Sequence, residues 1–357
     1  MVFYPGGTIR YITEEGENRM WGIAIVMCFT SAMLLTPVAA RMAWRIGAID
    51  VPRDWRRMHT DSVPRTGGLA VFTAFAGAVL LFCPRTAAVC TGLAGGAAVC
   101  CIGLADDIQP LSPVARLTVQ TLAAIAGTAG AGIRNPIGFW GAVFWLLAVT
   151  NAHNLIDGLD GLLAGTAILE GVGLALLLFL AGQGENCLQS LLMASACMGF
   201  LRYNRPPARV FAGDCGSGTV GYLLGWLALP AFAAPSWGLG SLAPLFVFAY
   251  PLTDLTAAVL RRAARGRSLF SADRAHLHHR ICAAGVPQPV CAAMLCGVSL
   301  ALGICGVLLA RETFAIPAAV ACTGAALVLP GIRLLMLRFA AAAKPGSGLA
   351  NNAAGRS

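Results

Sequence analysis

Apolar stretches long enough to cross a bilayer recur along nearly the whole chain, and this repetition limits the fold more than any other feature. They run roughly over residues 21–41, 67–83, 87–105, 114–132, 136–151, 162–181, 187–202, 217–234, 239–259, 289–310 and 315–335, about eleven in all, the fifth and seventh being the weakest. Charged residues are only 11% of the chain against 57% hydrophobic, where soluble domains are roughly a quarter charged. The stretches are rich in Ala, Gly, Leu and Val, which let membrane helices pack closely. The expected fold is therefore all-α and polytopic. It has an external N-terminal segment over 1–20, one transmembrane domain over 21–338, and a tail over 339–357 whose Ala, Gly, Asn and Ser predict disorder.

Val38, Ala39 and Ala40 resemble a signal-peptide cleavage site, but Glu14, Glu15 and Glu17 precede the first stretch while Arg41 and Arg45 follow it. That polarity predicts a retained helix with its N-terminus outside. Arg53, Arg56, Arg57 and Arg65 then share a side with Arg202, Arg205, Arg209 and the basic run from Arg261 to Arg280, which makes that side cytoplasmic. The net charge of +9 thus reflects topology, and nucleic-acid binding is not expected. The thirteen cysteines lie mostly in apolar stretches without a paired C-x-x-C, so they read as small buried residues, not zinc ligands.

Polar groups are costly in such a chain, so their placement is informative. All five histidines and most carboxylates fall in or beside the loops assigned to the cytoplasmic face. Asp106 and Asp107 end the third stretch. On a helix they point about 100° apart, so one can meet a metal or phosphate while the other orients or takes a proton; a solvated helix end is the plainer alternative. Asn151, Asn154, Asp157 and Asp160 follow at steps of three, with Gly158 and Gly161 between them. Amides and carboxylates together suit a hydrated Mg²⁺ or sugar hydroxyls.

From Asn204 to Gly218 the chain combines Arg209, Phe211, Asp214 and the glycines Gly213, Gly216 and Gly218. Backbone amides there can approach oxyanions, Arg209 can neutralise phosphate, Phe211 can stack on a base and Asp214 can hold a metal, although a turn between helices also accounts for the glycines. The run matches neither a phosphate-binding P-loop nor a nucleophile elbow. His276, His278 and His279, flanked by Arg274 and Arg280, suit a pyrophosphate better than zinc, since no Cys or Glu completes a zinc set nearby.

In this order the pieces resemble the polyprenyl-phosphate N-acetylhexosamine-1-phosphate transferase superfamily, glycosyltransferase family 4. The motifs are Asp50-Val51-Pro52, Arg56-Arg57-Met58-His59, Val63-Pro64-Arg65-Thr66-Gly67-Gly68, Asp106-Asp107 with Arg116, Asn151 to Leu162, Phe211-Ala212-Gly213-Asp214, Pro251 with Asp254, and Asp273-Arg274 before His276 to His279. The resemblance implies an enzyme of the bacterial inner membrane, its active site facing the cytoplasm. It would transfer N-acetylglucosamine-1-phosphate from a UDP-sugar to undecaprenyl phosphate, with loss of UMP, to begin a cell-envelope polysaccharide such as O-antigen. It implies Mg²⁺, for which Mn²⁺ can substitute, and no nucleic acid.

By motif, the resemblance makes Asp106 and Asp107 the catalytic pair, with no split of roles between them, and Asp214 with Asn154 the metal site. It gives Asn151, Asp157, Asp160, Asn204, Arg209, Phe211, His276, His278, His279, Arg57 and His59 to substrate. His-Leu-His-His, where relatives using UDP-N-acetylmuramoyl-pentapeptide carry three consecutive histidines, points to the N-acetylglucosamine branch. Arg57 stands where many relatives have lysine and Ala212 where many have methionine. Another UDP-sugar, such as a 6-deoxy-N-acetylhexosamine, stays open, as do direct attack against an aspartyl-phosphosugar intermediate, and a homodimer. An ion-coupled transporter is the alternative from another class, but it would place its carboxylates near the bilayer midplane.

Overall fold

The computed structural model describes residues 14–51, 62–233, 241–266, 268 and 276–311. The chain folds as twelve helices among these residues: α1 (Glu14–Ile46), α2 (Gly67–Phe82), α3 (Ala87–Ile108), α4 (Pro113–Gly130), α5 (Pro136–Ile156), α6 (Leu162–Leu180), α7 (Gly184–Asn204), α8 (Asp214–Phe232), α9 (Ala243–Val247), α10 (Ala249–Ala264), α11 (Leu277–Ala283) and α12 (Gln288–Leu309). Two short strands, β1 (Ile49–Asp50) and β2 (Val63–Pro64), pair antiparallel, with Ile49 opposite Pro64 and Asp50 opposite Val63.

Local chemistry sets several helix starts. Thr86, Ser112 and Asn135 accept the backbone N–H of Val89, Ala115 and Gly138, at 3.2, 3.2 and 2.6 Å. Pro113 and Pro136 follow at the first helical position, where a missing N–H costs nothing.

The bundle is organised around α8, in which every residue from Cys215 to Leu229 is buried. Helices α2, α3, α5 and α6 surround it. Glycines allow the approach: a Cβ on Gly68 would lie 1.9 Å from Gly216 Cα, and one on Gly103 would lie 2.5 Å from the Asp214 carbonyl oxygen. On the outside, Val26, Leu34, Trp140, Phe144, Phe179 and Ile304 present large apolar side chains, the surface lipid requires.

Five helices are long and apolar enough to cross a membrane, over Arg19–Ile46, Ala87–Ile108, Pro136–Ile156, Leu162–Leu180 and Gln288–Leu309, with the shorter apolar Gly67–Phe82 beside them. The expected total of about eleven is not reached among the described residues. One reason is that α7 and α8 are lined by protein instead of lipid: Gln189, Ser190 and Ser195 are buried on α7, and the Ser195 hydroxyl donates to Ile25 O at 2.7 Å. The expected span over 239–259 is broken at Phe248, between α9 and α10. Pro244 opens the first of these, and Pro251 in the first turn of the second has no N–H to continue a ladder from α9. The expected span over 315–335, the tail and most of the N-terminal segment lie outside the described residues.

Candidate active site

Two backbone connections bring the polar motifs to one end of the bundle. Gly67 and Gly68 at the start of α2 donate to Phe211 O and Ala212 O at 2.9 and 3.0 Å, and Phe211 N–H donates to Pro64 O at 2.8 Å. Arg65 is thereby set beside the start of α8. Gly213 precedes that helix with φ +74, and a Cβ there would meet Arg65 O at 2.0 Å, so both the conformation and the space call for glycine.

Around this point three carboxylates and two guanidiniums alternate. Asp107 Oδ1 lies 3.3 Å from Arg65 Nε, while Arg65 Nη2 lies 3.9 Å from Asp214 Oδ2. Arg116 Nη1 lies 2.8 Å from Asp106 Oδ2 and 3.5 Å from Asp214 Oδ2. The carboxylates of Asp106 and Asp214 are within hydrogen-bonding reach of each other. Asp107 is sealed, its side chain wholly unexposed, whereas the Asp214 side chain is 22% exposed and open to a ligand. Asp106 also accepts the Leu111 N–H at 2.6 Å, which folds the turn after α3 back onto it.

The segment from Asn151 to Gly161 ends α5 against this corner. Asn151 Nδ2 donates to Gln120 Oε1 on α4 at 3.0 Å and to Leu147 O at 2.8 Å. Asn154 Oδ1 accepts from the Ser217 hydroxyl on α8 at 2.9 Å. Asp157 closes α5, partly buried. Burial pushes its carboxyl up to about 7, opposed by Arg65 and reinforced by Asp107 and Asp160. Asp160 Oδ2 accepts the Ala208 N–H at 2.9 Å. Asn204 is spent on the backbone, accepting from Gly161 N–H at 3.1 Å and donating to Val210 O at 3.0 Å. Arg209 is exposed and Phe211 half-buried on the adjoining segment.

The histidine motif forms the far side. Asp254 on α10 accepts from His276 Nδ1 at 2.9 Å and from Leu277 N–H at 3.1 Å. His276 and His278 stack with ring centroids 5.8 Å apart and planes 7° apart, and His279 lies 4.2 Å from His278. His278 is buried with neither ring nitrogen bonded, and its Nε2 lies where a Cβ on Gly158 would stand, at 2.3 Å. Burial pushes His278 down to about 3, His279 and His276 adding to the effect and Asp254 opposing it, so the ring is neutral. Arg57 and His59 lie outside the described residues.

Among the sequence-predicted residues, the structure thus brings Asp106, Asp107, Asp157, Asp160, Asp214, Asn151, Asn154, His276, His278 and His279 to one end of the bundle. His153 points away from it. Its ring is wholly buried, with Nδ1 2.9 Å from Val149 O and Nε2 2.7 Å from Glu170 Oε2 on α6. Sequence reasoning gave no role to Arg65 or Arg116. Both stand in the quoted motifs, but only the fold reveals that each bridges two carboxylates.

The donor set fits a divalent cation that takes most of its ligands from water and phosphate. Asp214 is open and shares Arg116 Nη1 with Asp106, so the two carboxylates are close enough to offer one oxygen each to a divalent ion that displaces the guanidinium. Among the described residues no three His, Cys, Asp or Glu form a closed metal cage.

Comparison with known proteins places the chain in a family. Residues 89–231 match the family model for glycosyl transferase family 4. The chain is 30% identical over 310 residues to a probable undecaprenyl-phosphate N-acetylglucosaminyl 1-phosphate transferase of Bacillus subtilis, covering 82% of this chain and 85% of that protein. It is 35% identical over 289 residues to a decaprenyl-phosphate N-acetylglucosaminephosphotransferase of Mycobacterium tuberculosis, covering 67% and 70%. An undecaprenyl-phosphate alpha-N-acetylglucosaminyl 1-phosphate transferase of Escherichia coli K12 is 28% identical, covering 73% and 75%. The chain belongs to glycosyl transferase family 4, the polyprenyl-phosphate N-acetylhexosamine-1-phosphate transferases, and is an all-α membrane enzyme of the phosphotransferase class.

Proposed function

We propose that this enzyme transfers N-acetylglucosamine-1-phosphate from UDP-N-acetylglucosamine to undecaprenyl phosphate. The reaction would run on the cytoplasmic face of a bacterial inner membrane as the first step of a cell-envelope polysaccharide. The observation that carries the reading is the open carboxylate of Asp214, held between Arg65 and Arg116 where apolar helices end. A polyprenyl chain must stay in the bilayer while its phosphate meets a soluble nucleotide, and only a site at the ends of membrane helices serves both.

Asp214 and Asp106 would hold Mg²⁺, with Asn154, whose Oδ1 accepts from Ser217 in the first turn of α8, as a further ligand; when bound, the ion neutralises charge developing on the pyrophosphate. Arg65 and Arg116 each contact two carboxylates, and an incoming phosphate offers them a new partner. An oxygen of the lipid phosphate attacks the phosphorus that carries the sugar, the bond to the UMP oxygen breaks, and UMP leaves with the electron pair. His279, the least buried of the three imidazoles, is the one open to the sugar-phosphate from the other side, with His276, fixed by Asp254, and the buried His278 packed behind it.

The test is UMP release by the purified protein with undecaprenyl phosphate, Mg²⁺ and a panel of UDP-sugars. UDP-N-acetylglucosamine is expected to be the best donor. Preference for a 6-deoxy-N-acetylhexosamine or for UDP-N-acetylmuramoyl-pentapeptide would replace the sugar and keep the reaction; no lipid-dependent release from any donor would sink the reading.

A further inference from the structure

We propose that Asp107 is a positioning residue: it clamps the start of α8 so that Asp214 stands open to the metal and pyrophosphate, and it takes no proton from the lipid phosphate. The proposal rests on the reading above and divides an aspartate pair that sequence leaves undivided.

A helix start leaves backbone N–H groups without partners, and a side chain just before it usually accepts them. Gly213, at that position for α8, has no side chain to offer. The acceptor comes instead from another helix: Asp107 Oδ1 accepts the Asp214 N–H at 2.9 Å and Oδ2 accepts the Cys215 N–H at 3.0 Å. A carboxylate suits the positive end of a helix. With Arg65 Nε 3.3 Å from Oδ1 and no exposed side-chain surface, both oxygens of Asp107 are engaged and no path leads from them to a lipid headgroup. The residue it fixes is the open one, because its hydrogen bond is to the backbone of Asp214 itself. A base is also unnecessary, since a phosphate monoester has a second pKa of about 6 and is largely dianionic at neutral pH.

The experiment compares wild type with Asp107→Asn, whose amide retains one acceptor oxygen and loses the other, and with Gly213→Ala. A Cβ on Gly213 would come within 2.5 Å of Asp107 Oδ2, disturbing the clamp with the carboxylate intact. Three readouts are taken: amide hydrogen exchange across residues 212–218, Mn²⁺ affinity by electron paramagnetic resonance, and UMP release against Mg²⁺ concentration and pH. Both variants are expected to exchange faster in this segment and to bind Mn²⁺ about 10- to 100-fold more weakly, as when a partner that orients a ligand is lost. High Mg²⁺ is expected to restore most of the rate without moving the pH profile. Wild-type exchange and Mn²⁺ affinity in Asp107→Asn, with turnover lost at every Mg²⁺ concentration, would overturn the proposal and make Asp107 act on the reacting atoms. If Asp107→Asn does not fold, Asp107→Glu decides: it keeps the charge and the acceptors but carries them one carbon further from the two N–H groups, and wild-type exchange there overturns the clamp. Hydrogen exchange needs neither metal nor substrate, so failure of the clamp and failure of the proposed reaction are separable.

Discussion

At the start of α8, Asp107 accepts two backbone N–H groups and pairs with Arg65; at the start of α11, Asp254 accepts the Leu277 N–H and the His276 Nδ1–H. Both aspartates are buried, and both have both oxygens engaged. What differs is the neighbour each leaves available. The first corner leaves Asp214, a partly exposed carboxylate between two permanently charged guanidiniums, an arrangement suited to a hard cation and phosphate. The second leaves imidazoles: His276 is tethered through Nδ1 and His278 is buried, while the half-buried His279 is the ring that can donate or accept as a sugar or phosphate oxygen requires. The same device, a buried carboxylate at a helix start, serves an electrostatic site on one side and a hydrogen-bonding site on the other.

The comparison can be broken most severely at the first corner. Asp214→Asn is expected to lower UMP release about a thousandfold, since a metal's neutralisation of transition-state charge is worth several kcal/mol. Loss of less than about tenfold would move the metal elsewhere. At the second corner Asp254→Ala is expected to reduce kcat/KM for the UDP-sugar by about 10- to 100-fold while leaving the Mn²⁺ affinity of the first corner unchanged. A matching fall in Mn²⁺ affinity would show that the two corners are one unit.

The scaffold beneath them offers a smaller effect. Gly68→Ala pushes a methyl group into Gly216 and is expected to cost about 1–3 kcal/mol, read as a lower melting temperature in detergent. Gly77→Ala on the same helix meets nothing within 4 Å and is expected to be neutral or to gain up to about 1 kcal/mol.

Much of this corner is legible in the sequence. The motifs from Asp106 to His279 lie at one end of the bundle because each sits where a long apolar stretch stops, and those stops can be read from hydropathy alone. The use of each polar group could not be read in the same way. Asn204 is spent tying two loops together, and Asp107 caps a helix that begins more than a hundred residues later; both depend on contacts that have no local signature. His153 carries the same lesson. It stands among site residues in sequence, yet its ring turns inward to Glu170, whose place in the middle of an apolar helix gave no hint of a partner. Among the described residues only five of the helices are clearly apolar enough to cross a membrane for a related reason, since α7 and α8 bury their polar and small residues against protein and need no lipid-facing hydropathy.

The most direct test of the whole account follows both products at once. Purified protein is given UDP-N-acetylglucosamine, undecaprenyl phosphate and Mg²⁺, and UMP and the lipid-linked sugar diphosphate are quantified by mass spectrometry. The account predicts that the two form in equal amounts, that both stop when the divalent ion is chelated, and that both fall about a thousandfold together with Asp214→Asn. UMP appearing without lipid, or both products forming in that variant at within about tenfold of the wild-type rate, would contradict it.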